Sequence, residues 1–526
     1  MCVIFAHFPL PSPFCTLHNK AHIHAEPAGT GIPLRAYEEL YETGGREGKA
    51  EAVGRLHMNS LQSERKSLLA AVILVFALSS SLAAEQSVGP VSYNLNVSIE
   101  PGSGDTAVQG KVEFENPGSR DFKFNLHETF AIKTLRVNGR AASFSFAPAE
   151  LSPMTPAAKL VVVSLPPDVP PGKLRMDIEY AGRLKKLPEF GAVPFQTPAM
   201  DDQVNSHLVE LAGFSSWYPQ FSFGSVHVAA EFEVSLPQGW IAIGSGKKLE
   251  ERVNAGRSIT HWFSPKDLDL LIVASPDFRK KSFRQSGVDI EIYHTRMPEE
   301  FIEGEGRQIA SVMKLYTDWL GETVIPGGTV RHVYSPKRHG QGKAGTARPG
   351  LIVTSEGVTL DSLTSDPHFS LFQPIAHEIA HFWWNLGAGQ GDWINEASAE
   401  YFSALAVQKI SSEEEFKSIL EDYRKQVREL PANAPPLATV PFINDNVGYV
   451  VRYYKGALML DYLRETLGEE NFFPACREFF QTYKAKPVGT TEFRSFWKAK
   501  LAGRGKLVDA WLDSPGGLPV LETHAR

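Results

Sequence analysis

Two histidines and a glutamate stand close together in one segment, and their types and spacing could hold and use a metal ion. His377 and His381 are four residues apart, and Glu378 directly follows the first of them, in LFQPIAHEIAHFWWN. The apolar stripe of this segment predicts a buried helix, and residues four apart in a helix stand on one face. Both imidazoles can therefore bind one Zn2+ ion, while Glu378 can act as general base towards a water that the ion activates.

A catalytic zinc site needs a third protein ligand and keeps its fourth position for water. A second predicted helix, beginning near Asn395 in GDWINEASAEYFSALAVQKI, offers Glu396 and Glu400 one turn apart on one face. Either carboxylate could bind the metal, and the other could hold a ligating histidine through a hydrogen bond. The residue types and their spacing leave this choice open.

Peptide hydrolysis at such a site also needs a donor for the oxyanion that develops in the transition state. The segment GYVVRYYKGALML supplies three candidates, Tyr449, Tyr453 and Tyr454. Spacing alone does not choose between them.

The elements that must position these residues fall into two parts. Residues 84–275 contain alternating apolar and polar runs bounded by Gly, Pro, Asn and Asp, which predict an all-β domain. Residues 276–526 are predicted to be mainly helical, with strands at VRHVYSP and GLIVTS, and a helix that starts with Ser412 and Glu415 in capping-box spacing. Strands followed by helices indicate an α+β fold.

The first 83 residues are predicted to lie outside the folded protein. A short basic region at Arg65 and Lys66, an apolar run and a small-residue end are typical of a signal peptide, here residues 58–83. Residues 1–57 are interpreted as a non-translated or disordered extension before a start at Met58, which mass spectrometry of the precursor would test. Cleavage before Ala84 predicts export to the periplasm or the medium without a stable membrane span, and an uncleaved anchor is the alternative.

Composition excludes several other functions. The net charge of −7 lacks the basic excess typical of a nucleic-acid-binding protein. The three cysteines form no CxxC pair, so a thiolate metal site or a dithiol redox site is not expected. After signal cleavage Cys476 would be the single thiol, which rules out an internal disulfide. The oligomeric state is left open.

The segments HEIAHFWWN, WINEASAEY and YYKGALML together resemble the aminopeptidase N and leukotriene hydrolase family of zinc peptidases, the gluzincins. The resemblance extends over most of residues 88–520. It implies an N-terminal, saddle-like all-β domain followed by a thermolysin-like, mainly helical catalytic domain. The chain is similar to a shortened, two-domain member of this family.

The resemblance also implies roles for individual residues. The zinc histidines fall on His377 and His381, and the general base falls on Glu378. The family's ligand glutamate lies in a Trp-Leu-Asn-Glu motif, which matches Glu396, although the family's spacing after the second histidine lands on Glu400. The tyrosine of the Tyr-x-Lys-Gly motif falls on Tyr453, which implies a role in stabilising the oxyanion.

The chain departs from the family pattern where aminopeptidases carry Gly-Ala-Met-Glu-Asn, whose glutamate binds the free amine of the substrate. In the matching stretch, Ala344–Arg348, this glutamate is replaced by Ala347. A second amine-binding position of the family falls on Glu210, in ELAGFSSWYP. Loss of one anionic residue weakens the expectation of aminopeptidase specificity but leaves zinc hydrolysis untouched.

We therefore expect an exported peptidase with one zinc ion and a peptide substrate. Two alternatives stay open. One is a binding or scaffolding protein with a zinc ion that does not take part in catalysis, which the altered anchor motif favours and Glu378 disfavours. The other is a hydrolase of a non-peptide substrate, as in the leukotriene branch of the family.

Overall fold

The long strands in the first half of the chain have alternating buried and exposed side chains. In β1, Val91–Glu100, every second side chain is buried and the others are exposed, as in a strand that has one face on a core. The computed structural model describes residues 91–116, 118–148, 158–184, 203–221, 227–267, 269–337, 345–366, 369–387, 391–441, 445–484, 486 and 488–519. The predicted extension, signal peptide and cleavage site lie outside the described residues.

Three sheets are formed by β1 and the strands that follow it up to residue 275. These strands are β2 Asp105–Asn116, β3 Asp121–His127, β4 Ala131–Val137, β5 Arg140–Ala141, β6 Ser143–Pro148, β7 Ala158–Ser164, β8 Gly172–Arg183, β9 Gln203–Val204, β10 Val209–Leu211, β11 Val228–Pro237, β12 Ile241–Gly244, β13 Lys247–Asn254, β14 Arg257–Asp267 and β15 Ile272–Ser275. The largest sheet has the order β13-β14-β11-β1-β2-β8-β4-β5, and the smaller ones are β12-β15-β10-β9 and β3-β7-β6. The predicted β-rich first half is thus present in the structure.

A mixed five-stranded sheet follows, in the order β16-β17-β18-β20-β19. Its strands are β16 Arg279–Gln285, β17 Val288–His294, β18 Thr329–Ser335, β19 Thr346–Arg348 and β20 Leu351–Ser355. β17, β18 and β20 are parallel, and the short edge strand β19 runs antiparallel to β20. The carboxyl ends of the three parallel strands therefore share one end of the sheet.

Helices dominate the rest of the chain. They are α1 Glu299–Leu320, α2 Glu356–Ser365, α3 Phe372–Ala380, α4 Asp392–Ile410, α5 Glu413–Arg428, α6 Asn446–Val450, α7 Gly456–Leu467, α8 Glu469–Tyr483, α9 Thr490–Lys500 and α10 Lys506–Asp513. A single π-helical turn, Val451–Lys455, joins α6 to α7. The predicted change from strands to helices is therefore observed, and α4 begins at Asp392 rather than near Asn395.

The five-stranded sheet belongs to two hydrophobic cores at once. Ile352 and Tyr334 lie in the core of the helices, whereas Val333, Val353 and Leu351 lie in the core of the preceding β-sheets. The described residues between 91 and 519 accordingly belong to one compact unit. The boundary predicted between residues 275 and 276 stays a prediction. Among the helices of the described residues, none is both long and apolar enough to cross a membrane.

Candidate metal centre

Helix α3 presents two histidine side chains to the interior. His377 lies in its last turn and His381 directly follows its end, and both side chains are almost completely buried. Each ring is oriented through its Nδ1 atom, which lies 2.7 Å from Glu400 Oε2 in His377 and 3.0 Å from the carbonyl oxygen of Trp384 in His381. Both Nε2 atoms are thereby directed towards the same point between helices α3 and α4, as metal-binding histidines usually are.

Helix α4 brings the carboxylate of Glu396 to this point. Glu396 Oε2 lies 3.6 Å from His377 Nε2 and 3.7 Å from His381 Nε2, which is too long for hydrogen bonds. One ligand atom from each of the three residues lies within 4.8 Å of the other two. His377 Nε2 and Glu396 Oε2 are buried and make no hydrogen bond, a costly arrangement unless a cation is bound between them. Two imidazoles and one carboxylate are the donor set of a catalytic zinc site, so these residues fit the ion.

Glu400 lies one turn further along α4 and is engaged differently. Besides its contact with His377 Nδ1, it accepts a hydrogen bond from the hydroxyl of Tyr423 on α5. Glu396 thus lies near the Nε2 atoms of both histidines, whereas Glu400 lies at the Nδ1 atom of His377. Tyr423 was not expected from the sequence, because no local pattern connects it to a residue 23 positions away.

Two further contacts missed by the sequence analysis fix the start of α4. The side chain of Asn395 accepts hydrogen bonds from the backbone N–H groups of Leu386 and Gly387, and it donates one to the carbonyl oxygen of Gly387. Asp392 in the first turn forms a buried ion pair of 2.9 Å with Arg452. These contacts hold the loop after α3 and the π-turn to the helix that carries Glu396.

Glu378, the predicted general base, lies close to Gly345. A Cβ atom added to Gly345, directly before β19, would lie 2.3 Å from Glu378 Oε1 and 3.0 Å from its Cγ. Glu378 is itself almost completely buried. The absence of a side chain at position 345 therefore gives Glu378 its space.

The π-turn places Tyr453 beside the histidines. Its ring stacks on Tyr449 with 4.2 Å between ring centroids, and it lies nearly parallel to the His377 ring at 5.9 Å. Tyr454, the third candidate, points elsewhere and stacks on Tyr423 at 4.5 Å. A π-turn inserts one extra residue into a helix and is frequent at functional sites.

Burial and mutual charge set the protonation of the cluster. Burial lowers the pKa of His381 to about 3. Burial also acts to lower the pKa of His377, but the neighbouring Glu396 and Glu400 carboxylates, the latter hydrogen-bonded to its Nδ1, raise that pKa to about 9. Burial acts to raise the pKa of Glu396, but the two imidazoles outweigh it and hold that pKa at about 2. The carboxylates thus favour a positive charge at the centre of the site.

The surroundings of Tyr453 favour the protonated form of its hydroxyl group. Burial, followed by the negative charge of Glu396, raises the pKa of its hydroxyl well above the usual value. It can therefore act as a hydrogen-bond donor rather than as a base.

The two positions considered for amine binding lie in different surroundings. Ala347, in β19, is 3% exposed and belongs to the hydrophobic core of the helices. Glu210, in β10, is buried, and its carboxylate accepts hydrogen bonds from the Ser335 hydroxyl and from Lys337 Nζ, the latter at 2.7 Å. Its negative charge is thus already compensated within the protein.

Comparison with known proteins agrees with this geometry. Residues 347–513 match the Peptidase family M1 domain. The chain is 26% identical to rat aminopeptidase O over 210 residues, which cover 33% of this chain and 25% of that protein. It is 22% identical to aminopeptidase N of Streptomyces lividans over 342 residues, or 59% of this chain and 38% of that protein. The chain thus spans only about a quarter of the length of the curated relative named first.

Solved structures show the same fold. The M1 zinc metallopeptidase of Deinococcus radiodurans matches with a TM-score of 0.64 at 19% identity, covering 83% of this chain and 97% of that one. Yeast LTA4 hydrolase in complex with bestatin matches with a TM-score of 0.61 at 15% identity, covering 84% and 70%. The predicted α+β fold, with β-sheets in the first half of the chain and mainly helices in the second, is confirmed.

Proposed function

We propose, because this chain belongs to the M1 family of zinc metallopeptidases, that it hydrolyses peptide bonds with one zinc ion, with Glu378 as the general base. The observation that supports this most directly is the meeting of three buried ligand atoms, from His377, His381 and Glu396, beside that glutamate. Hydrogen bonds alone do not account for this arrangement, because His377 Nε2 and Glu396 Oε2 are buried and make no hydrogen bond.

The ligand residues would be His377, His381 and Glu396, with Glu400 and Tyr423 as the pair that orients the first histidine. A zinc ion held there would lower the pKa of a water towards neutrality and polarise the scissile carbonyl. Two imidazoles and one carboxylate leave one net positive charge on the divalent ion, which favours both effects.

The remaining steps belong to the protein's own side chains. Glu378 would take a proton from the attacking water and later return it to the leaving amine. The Tyr453 hydroxyl would donate a hydrogen bond to the oxyanion, for which its raised pKa keeps the proton available. The buried pair of Asp392 and Arg452 would hold the π-turn at the correct distance from the ligand helix.

Replacement of the base separates catalysis from metal binding. We expect Glu378→Gln to lower kcat for peptide hydrolysis by roughly 10²–10⁴-fold, because the amide cannot accept the proton. The zinc content should stay at one ion per chain, since Glu378 is not among the three converging ligands. Hydrolysis of a fluorogenic peptide and metal analysis by mass spectrometry measure the two quantities.

Glu414→Gln, an exposed position on α5, is the matched control and should behave as the wild type. Full activity of Glu378→Gln, or activity that survives removal of zinc by a chelator, would contradict the proposal. A zinc-loaded wild-type protein that is inert on a broad peptide library would instead favour the scaffolding alternative.

Export to the periplasm or the medium is also part of the proposal. It is supported by the sequence of residues 58–83 alone, and detection of a mature protein that begins at Ala84 in the exported fraction would test it.

A further inference from the structure

Lys455, the last residue of the π-turn, is completely buried and takes no part in the mechanism proposed above. Its Nζ atom donates hydrogen bonds to the carbonyl oxygens of Ser514 at 2.6 Å and of Gly516 at 2.9 Å. Both acceptors are backbone groups rather than carboxylates. The ammonium group therefore connects the π-turn to the segment of residues 514–517 that follows α10.

The position of Ser514 explains how a buried ammonium group is accommodated there. Ser514 caps the carboxyl end of α10, where the helix dipole is negative and a cation is stabilised. Burial lowers the pKa of Lys455 to about 8, so the side chain is still mainly charged at pH 7. The charged group makes stronger hydrogen bonds to the two carbonyl oxygens than a neutral donor would.

The segment after α10 is itself held in place by the rest of the protein. The Gly516 N–H group donates a hydrogen bond of 3.0 Å to the carbonyl oxygen of Ala434. Gly516 has a positive φ of 69°, and a Cβ atom added to it would lie 3.1 Å from the carbonyl oxygen of Ala432. The acceptors for Lys455 thus belong to a fixed backbone, so their contact can hold the π-turn in one position.

A second contact joins the end of the π-turn to the helix that carries Glu396. A Cβ atom added to Gly456, directly after the turn, would lie 2.4 Å from the Cβ atom of Ala397. An α-helix is the common alternative to a π-turn, so contacts outside the turn are needed to favour the rarer form. The contacts with α4 and with the segment after α10 favour the conformation that places Tyr453 beside His377.

We propose that Lys455 is a positioning residue, through which the segment after α10 holds the Tyr453 hydroxyl where it can donate to the oxyanion. The inference rests on the peptidase function proposed above, and within it on the role of Tyr453. It assigns to residues 514–517, distant in sequence from the zinc ligands, an effect on the rate of the chemical step. Binding of zinc and of the substrate should not depend on this contact.

Replacement of the ammonium group is the direct test. Lys455→Met keeps a long side chain but cannot donate, and we expect kcat to fall about 10–10²-fold. A misplaced donor loses part of the stabilisation that one oxyanion donor supplies, which is on the order of 10²–10³ in kcat. KM and the zinc content should stay near the wild-type values. Lys425→Met, at an exposed position on α5, is the matched control and should keep the wild-type kcat.

A double-mutant cycle distinguishes positioning of Tyr453 from a general loss of structure. If Lys455 acts through the Tyr453 hydroxyl, Lys455→Met/Tyr453→Phe should have the kcat of Tyr453→Phe alone, within about twofold. Independent effects would multiply instead. A double variant that is slower than Tyr453→Phe by the full factor observed for Lys455→Met would overturn the inference.

Binding gives a readout that does not depend on turnover. A phosphinic peptide mimics the tetrahedral transition state and should bind to Lys455→Met about tenfold or more weakly than to the wild type. The corresponding substrate peptide should bind equally to zinc-loaded Glu378→Gln and Glu378→Gln/Lys455→Met, as measured by calorimetry. Equal affinity of the wild type and Lys455→Met for the phosphinic peptide would contradict the positioning role.

Gly516→Ala changes the other side of the same contact and serves if Lys455→Met does not fold. The added methyl group would require the segment that accepts from Lys455 to shift, so kcat should fall, but not further in a Tyr453→Phe background. Gly503→Ala is the control, because Gly503 also has a positive φ, of 87°, but nothing lies within 4 Å of its Cβ position. Equal kcat values for the two glycine variants would contradict the inference.

The results also separate this inference from the peptidase proposal. A zinc-loaded wild-type protein without peptidase activity would overturn the proposed function and the positioning role together. A wild-type kcat for Tyr453→Phe would overturn the role of that hydroxyl, and the positioning role with it. A reduced kcat for Tyr453→Phe together with a wild-type kcat for Lys455→Met would overturn the positioning role alone.

Discussion

The side chain of Glu378 owes its position to a glycine that no zinc-ligand motif includes. Gly345 lies so close that a Cβ atom would contact the Oε1, Cδ and Cγ atoms of Glu378 at 2.3, 2.9 and 3.0 Å. A methyl group at this position would require the carboxyl group of Glu378 to shift. A shift of about 1 Å at a reacting group can cost on the order of 10² in rate.

We expect Gly345→Ala to lower kcat about 10²-fold while the KM and the zinc content stay near the wild-type values. Steady-state kinetics with metal analysis provides the check. Gly102→Ala is the matched control, because a Cβ atom at that glycine meets nothing within 4 Å. Equal activity of the two variants would show that the base does not depend on the contact.

At this scale the sequence could predict residues whose roles follow from helical spacing. The two histidines follow from that spacing, whereas Glu396 was preferred to Glu400 only through the resemblance of its Trp-Ile-Asn-Glu motif; one ligand atom from each of the three residues lies near the others in the structure. Gly345 and Tyr423 could not be predicted in the same way, because their contacts with Glu378 and Glu400 connect separate elements.

At the scale of elements, local sequence patterns predicted the presence of the helices better than the residues at which they begin. Ser412 caps α5 as expected, since its hydroxyl accepts from the Glu415 N–H at 3.1 Å. The Glu415 side chain, however, binds the Ser411 hydroxyl, so the reciprocal half of the capping box is missing. α4 begins at Asp392, earlier than predicted, and Asp392 pairs with the distant Arg452, a contact that a local sequence pattern does not reveal.

The last residue of β3 is a histidine that makes the β-sheets sensitive to acid. His127 is 3% exposed, and burial followed by the charge of Lys159 lowers its pKa to about 4 from 6.5. The unfolded chain binds a proton below about pH 6.5 whereas the folded protein does not. The stability contribution is therefore complete above pH 6.5 and falls as the pH drops towards 4, by roughly 3 kcal/mol.

The His127→Gln variant should lose correspondingly less stability between pH 7 and pH 4 than the wild type. Urea unfolding at a series of pH values measures the difference. His207→Gln, which changes a side chain that is 78% exposed, should keep the wild-type pH dependence. Identical slopes for the wild type and His127→Gln would refute this assignment.

At the scale of the whole molecule, one buried guanidinium joins the two halves of the chain. Arg348 of β19 is 2% exposed and pairs with Asp269 and with Asp267 at the end of β14. Its removal would leave two carboxylates buried without that cation. Breaking a buried ion pair on one side typically costs about 3–5 kcal/mol.

We expect Arg348→Met to lower the free energy of unfolding by about 3–5 kcal/mol. Arg284→Met, which removes a surface ion pair with Asp289, should lower it by no more than about 1 kcal/mol. Urea denaturation followed by tryptophan fluorescence compares the two. A similar small loss in both variants would mean that the buried pair does not join the halves.

The order of strands and helices along the whole chain was predictable, because periodicity is a local property of the sequence. The sharing of one sheet between two hydrophobic cores was not. Val333 and Tyr334 are neighbours in sequence but belong to different cores, and a pattern of apolar residues does not state which core each side will join.

The length of the π-turn at Val451–Lys455 affects the direction of every side chain that follows it. An α-helix advances 100° per residue, so each residue gained or lost within a turn rotates everything beyond it by that angle. The extra residue of the π-turn therefore changes the direction in which the side chains of α7 point relative to those of α6. A one-residue deletion there would restore a regular helix and turn the Tyr453 side chain away from His377, so the position of this hydroxyl group depends on the length of the turn as well as on its residues.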